Sequence, residues 1–223
     1  PNHHSDLKYG VADPIKYPRT SHLPWSPGGS SDDAYLIDTA HFTGREVVIT
    51  EKMDGENTSM YRDRIHARSV DGRHHPSRDW VKALHGRIAM EIPEDWRLCG
   101  ENVFAMHSIP YRNLESYFYL FSIWNEANES LSWDETLEWA SLLGLATVPE
   151  LYRGEWDEAW TRDLEIDPAV QEGYVVRVAD RFAYDDFGVS LAKYVRKGHV
   201  QTTEHWMFAE IVPNRLAEPE EPS

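Results

Sequence analysis

Residues 47–69 read VVITEKMDGENTSMYRDRIHARS. Four residues that favour strands, Val47 to Thr50, run into Glu51-Lys52-Met53-Asp54-Gly55; alternation then resumes and an Arg68-Ser69 pair follows. β-Branched side chains suit a pleated surface and Asp-Gly is a common hairpin signal, so the stretch reads as strand, turn, strand. Two readings of Lys52 stay open here. It is an exposed residue on a surface turn, or a nucleophile held at a strand end. A lysine amine attacks only when neutral, and a reference pKa of about 10.4 favours the charged form by roughly 4–5 kcal/mol at pH 7. A cleft shared with other cations or a bound metal reduces that cost. Gly55 lets the backbone turn tightly or approach a ligand, and Asp54 is placed to orient the amine or a metal-bound water.

Outward from this stretch, strands are expected at 45–50, 57–62, 64–68, 96–101, 117–124, 173–178 and 190–195, each short and bounded by turn residues. Helical pattern covers 77–90, with Ser77 as its N-cap. It is clearest over 133–143: Ser132 to Glu135 forms a capping box, Leu137, Leu142 and Leu143 give an apolar side, and Gly144 stops the helix. Weaker helical pattern lies at 155–163 and 200–211. Residues 1–40, rich in Pro, Gly, Ser and Asp, read as an irregular lead-in packed on a domain spanning 41–213, with an acidic tail over 214–223. The class is α+β, antiparallel-rich sheets flanked by helices.

With 223 residues, 41% of them hydrophobic, the chain buries a sizeable core. No apolar run approaches the roughly 20 residues that span a bilayer. The opening PNHHSDLKYG lacks the basic and apolar regions of a signal peptide. A single cysteine, Cys99, excludes an internal disulfide and a cysteine-built zinc site, so a cytoplasmic protein with no membrane partner is expected. The net charge of −16 argues on average against a nucleic-acid partner, but it is unevenly spread. Residues 116–175 carry 13 acidic and 2 basic residues, whereas 61–87 carry seven basic and three acidic residues and four histidines. One face is therefore able to attract phosphate while another repels it.

Lys52 has company, in order along the chain. Arg68-Ser69 is followed by LCGENVFAMHSIPY with Glu101, YFYLFSIW with Phe121, QEGYVVR with Glu172, and SLAKYVRKGHV with Lys193, Arg196 and Lys197. These motifs, spanning about 51 to 197, resemble the ATP-dependent RNA ligase branch of the covalent nucleotidyltransferases. The 198–211 stretch is also similar to a bacterial RNA-ligase group. The resemblance implies an ATP-grasp-like ligase domain. Lys52 would take AMP from ATP as a lysyl phosphoramidate. Glu51, Asp54, Gly55, Arg68, Glu101, Phe121, Glu172, Lys193 and Lys197 would line the nucleotide site. Within it, Glu51 would bond the adenine amino group, Arg68 the phosphates or ribose, and Glu101 the ribose hydroxyls. Phe121 would stack on adenine, and Lys193 would neutralise the α-phosphate as a catalytic cation. Glu172 would hold Mg²⁺ or Mn²⁺. The substrate implied is RNA with 5′-phosphate and 3′-hydroxyl ends, with Arg73, Arg78 and Lys82 as the candidate RNA-binding residues of the basic stretch.

Two positions depart from the pattern. Ser122 stands where such ligases carry aspartate after the Phe, and Val195 stands where they carry a second lysine. Only 30 residues follow Lys193, fewer than the ~70 of an OB-type domain, so none is expected and either the domain works alone or a repair partner protein grips the substrate. Two rivals remain: a DNA nick-sealing or capping enzyme, and a non-catalytic RNA-binding subunit of a repair complex.

Overall fold

A computed structural model describes residues 13–70, 72–198 and 210–219. Along the chain run β1 (Glu46–Glu51), β2 (Glu56–Met60), β3 (Ile65–Ala67), α1 (Asp79–Ile88), β4 (Arg97–Asn102), β5 (Phe118–Trp124), β6 (Glu129–Ser130), α2 (Trp133–Leu143), β7 (Ala146–Thr147), β8 (Glu150–Glu155), α3 (Glu158–Arg162), β9 (Gly173–Val178), β10 (Phe182–Ala183) and β11 (Leu191–Val195). Val47, Val48 and Ile49 are all fully buried, although successive strand residues face opposite sides. β1 is thus covered on both faces. It lies inside an antiparallel sheet ordered β11-β9-β1-β8, and a second sheet runs β10-β6-β5-β4-β2-β3. In the second sheet β7 pairs with β5 in parallel, an exception to the antiparallel rule.

Three apolar clusters hold these parts together. Cys99, Trp124, Phe182, Phe187 and Leu191 join the sheets on one side. Val48, Met53, Val103, Tyr119 and Trp133 join them on the other. α1 lays Val81, Leu84 and Ile88 on Leu98, Phe118 and Ile123. The expected helix pattern needs three corrections. Ser77 is not the N-cap: it lies buried inside a 3-10 turn, Pro76–Arg78, which His75 caps by accepting from the Ser77 N–H. Leu142 is 78% exposed, and α2 instead buries Trp133, Thr136 and Ala140, with Leu137 and Leu143 partly buried beside them. The helix expected over 155–163 starts later, because β8 continues to Glu155 and Asp157 caps α3. The stretch expected as helix at 200–211 falls outside the described residues except at its end. The capping box of Ser132 and Glu135 is formed, with Gly144 at φ 68° closing α2. Ser132→Ala should cost about 1 kcal/mol, read as a lower urea midpoint with an unchanged m value.

Both flanking segments are bonded to the body. The Lys193 N–H donates to the Ser21 carbonyl (2.9 Å) and the Leu23 N–H to the Lys193 carbonyl (2.7 Å), so residues 21–23 line up beside β11. Further upstream, the Ile15 N–H donates to Tyr61 Oη (2.9 Å) and the Tyr17 ring packs edge-on to Phe121 and Phe187 at 5.4 Å. At the other end, the acidic tail expected from residue 214 begins later. Asn214 is buried, its amide donating to the Val103 carbonyl (2.8 Å) while its Oδ1 accepts from the Tyr111 N–H (2.9 Å).

Candidate active site

Lys52 leaves β1 where the two sheets meet. Its N–H donates to the Gly173 carbonyl (2.9 Å) and the preceding Glu51 N–H to the Pro149 carbonyl (2.9 Å), so the backbone under the amine is fixed from both sides. Cross-strand register sets Thr50 beside Val175 and Val175 beside Lys193, placing all three on one sheet face. The turn after Lys52 is pressed onto β4: a Cβ on Gly55 would stand 2.2 Å from the Asn102 carbonyl oxygen, so only glycine fits. The same turn binds Glu101, whose Oε1 accepts from the Gly55 N–H (3.1 Å). Burial pushes the Glu101 carboxyl up to about 8, against the attraction of Lys52. β2 then pairs Asn57 with Glu101, and the Arg68 N–H donates to the Asn57 carbonyl (3.1 Å). Lys52, Glu101, Arg68 and Lys193, far apart in sequence, are brought together at this junction.

Cations gather at this junction. Burial and the neighbouring Lys52 bring Lys193 down to about 8. Arg68 is lowered by burial and by Arg19. His22, behind Lys193, is lowered by burial and by Lys193 itself. An anion entering here restores the charged form of Lys193. Tripolyphosphate binding at pH 8 should therefore take up protons, by calorimetry in buffers of different ionisation enthalpy, and Lys193→Met should remove most of that uptake. Stability carries the same sign. A lysine whose folded pKa is depressed stabilises above its unfolded value of 10.5 and loses that contribution as pH falls through about 8. Wild type should thus gain stability over Lys193→Met as pH rises from 8 to 10.5.

Not every expected residue meets this junction in the expected way. Asp54 is buried, and its Oδ2 accepts from the Ser108 N–H (2.9 Å), the Ser108 hydroxyl (2.8 Å) and the Ile109 N–H (2.9 Å). It pins the 108–109 loop. Glu172 is fully buried beside the same Ser108 hydroxyl (3.3 Å) and pairs with Arg196 (Nε to Oε2, 3.2 Å). Glu51, raised by burial, accepts from Gln171 Nε2 (2.9 Å). Phe121 is half-buried with one edge against Tyr17, and Lys197 is exposed after the end of β11. Arg73 is exposed and Lys82 half-buried. Arg78 is not an RNA-facing residue: its guanidinium grips both oxygens of Glu56, at 2.7 and 2.8 Å, out of solvent.

The two departures have physical causes. Ser122 is buried, accepting from Trp124 Nε1 (3.1 Å) and meeting the Tyr17 hydroxyl, so a carboxylate there would lose its hydration. Val195 is 1% exposed and its N–H donates to Ser26 Oγ (2.9 Å), so a lysine would be trapped under the lead-in. Asn57 went unremarked in the sequence. Its Oδ1 is buried with no hydrogen-bond donor among the described residues, between Glu101 and Arg68. Its place five residues after Lys52, at the start of a strand, was the available signal.

A divalent ion fits this site only in part. Among the described residues no cluster of three or more His, Cys, Asp or Glu side chains forms, and Glu172 already faces Arg196. Hard carboxylate oxygen is nonetheless the right donor for Mg²⁺, which usually takes one or two carboxylates and keeps phosphate oxygens and water for the rest.

Two antiparallel-rich sheets meeting at a lysine that ends a central strand form a ligase-type nucleotidyltransferase domain. Residues 45–195 match the RNA ligase family model, and the chain belongs to that family. Among solved structures it is similar to Naegleria gruberi RNA ligase with pyrophosphate, at 22% identity and a TM-score of 0.51 over 70% of this chain and 51% of that one. A variant of that enzyme has been determined with ATP and manganese. An archaeal ATP-dependent RNA ligase matches at 18% identity and a TM-score of 0.55, over 81% and 48%. A candidate ATP-dependent DNA ligase from Aquifex aeolicus matches at 22% and 0.55, over 81% and 49%. The chain thus spans about half the length of these proteins. No curated protein matches it.

Proposed function

We propose that the chain is an ATP-dependent RNA ligase joining 5′-phosphate to 3′-hydroxyl ends. The observation that carries this reading is the convergence of Lys52 with Glu101, Arg68 and Lys193 where two sheets meet. Lys52 Nζ, once deprotonated, attacks the α-phosphorus of ATP; the bond to the bridging oxygen of the β-phosphate breaks and pyrophosphate leaves. The AMP then passes to the 5′-phosphate of RNA as a 5′–5′ pyrophosphate, and a 3′-hydroxyl attacks that end and expels AMP. Lys193 and Arg68 balance the charge that accumulates on phosphate oxygens as these bonds exchange. Glu101 meets the ribose and Phe121 the adenine face. Glu172 is the carboxylate of this chain that would hold Mg²⁺ or Mn²⁺, which when bound neutralises phosphate charge. RNA is gripped through phosphates and 2′-hydroxyls, with Arg73 and Lys82 as contacts.

Incubation with α-³²P-ATP and Mg²⁺ or Mn²⁺, followed by denaturation, should leave acid-labile label on the chain. Absence of label from folded protein free of prebound AMP, with either metal, would overturn the ligase reading and favour an RNA-binding subunit. Nicked duplexes with RNA or DNA on each side of the break then separate RNA ligation from DNA sealing, a distinction made necessary by the Aquifex neighbour. No helix among the described residues is long and apolar enough to cross a membrane.

A further inference from the structure

The lead-in delivers a charge to the nucleotide site that the family-matching stretch does not contain. Tyr17 is buried against Phe121, and four residues later the Ser21 carbonyl accepts from the Lys193 N–H (2.9 Å). Arg19 lies midway between these two anchors, and it is exposed. Its charge acts on both Arg68 and Lys193, and Lys193 also feels Lys52. Each of these charges repels the next, and an anion set among them relieves that repulsion. Asp33, the carboxylate that acts on Lys193, is itself held by the Ser30 N–H (2.8 Å) and hydroxyl (3.2 Å) and faces His22 (3.5 Å). Arg68 Nη2, buried, has no hydrogen-bond partner among the described residues. The cluster is short of an acceptor.

Resting on the ligase reading of this site, we propose that Arg19 is a phosphate-gripping residue and meets the outer phosphates of the incoming triphosphate. The position where the family pattern carries a second lysine, Val195, is sealed beneath Ser26, so residue 195 cannot supply another cation to the junction. The segment that seals it brings Arg19 instead. Arg68 and Lys193 are half-buried and Arg19 is not, which puts the arginine outermost, at the β- and γ-phosphates rather than the α-phosphate. A guanidinium suits that task because its fork binds two phosphate oxygens at once.

The test uses the full chain and two probes, tripolyphosphate and AMP, with binding followed by calorimetry without metal. Arg19→Gln should weaken tripolyphosphate about tenfold and leave AMP within twofold, while Arg19→Lys loses less. Lys16→Ala removes the same charge from the same segment and should change neither probe by more than twofold. A tripolyphosphate affinity of Arg19→Gln within twofold of wild type overturns the proposal, as does an equal loss in Lys16→Ala or a wild type that binds no tripolyphosphate. The α-³²P-ATP label is scored in parallel. Label on wild type without an Arg19 effect overturns this inference and leaves the ligase reading standing. An Arg19 effect without label supports the phosphate site and sinks the ligase reading.

Discussion

Lys52→Ala should abolish labelling by α-³²P-ATP, a loss of about 10³-fold or more, and Lys52→Arg should do the same. The second variant is the more informative. A guanidinium stays protonated at any working pH, so it keeps a positive charge beside the phosphates but cannot attack phosphorus. If Lys52 served only as a charge clamp, arginine would rescue a good part of the activity. Folding should survive both changes, because the strand end is held by the backbone bonds of Glu51 and Lys52 to Pro149 and Gly173 rather than by the amine. The chemistry divides cleanly. Sealing of an RNA end that already carries AMP needs no lysine nucleophile, so Lys52→Ala should retain it while losing sealing from ATP. Loss of both activities in a folded variant would assign Lys52 a role in holding the substrate instead. The assay is a gel shift of 5′-adenylylated RNA against 5′-phosphorylated RNA with ATP.

Arg78→Ala should destabilise the protein by about 3–5 kcal/mol, because it leaves the Glu56 carboxylate, 14% exposed, without its bidentate partner. For a chain of this size that is a fall of roughly 10 °C in the thermal midpoint. The consequence reaches the site. Glu56 directly follows the turn that positions Lys52, and Arg78 also donates to the Arg73 carbonyl (2.9 Å), so the pair ties the start of α1 to β2. Any loss of RNA binding in Arg78→Ala should therefore accompany unfolding and disappear at low temperature, where the variant is folded. Replacing both members with methionine should cost less than either single change, since no uncompensated charge remains. A fully stable Arg78→Ala with weakened RNA affinity would restore this arginine to the RNA-facing surface.

The contrast between these two residues explains what was legible in the sequence. β1, β5, β9 and β11 follow runs of β-branched and aromatic residues, and the RNA ligase family was readable because its motifs are short and ordered. β8 was missed because ELYRGE has no apolar alternation; Glu150, Arg153 and Glu155 are exposed and the other three residues only half-buried, and it is a strand through pairing with β1. Likewise, Leu142 belongs to an apolar run but lies on the solvent side of α2. Arg78 looked like a phosphate contact because its neutralising partner, Glu56, sits 22 residues away on another element. Ser108, which bonds both Asp54 and Glu172, and Arg19, which lies ahead of every recognised motif, carry no local signature at all. Charge and periodicity report the neighbours along the chain, whereas burial and ion pairing are set by neighbours across the fold.

A fragment trimmed to residues 45–195, the span that defines the family, would look complete on sequence grounds. It would also strip residues 21–23 from the flank of β11 and leave the Lys193 amide and carbonyl to seek new partners. An unprotected strand flank is a template for intermolecular strand addition. Such a fragment should self-associate through the very strand that bears Lys193, closing its nucleotide site with a second copy of itself.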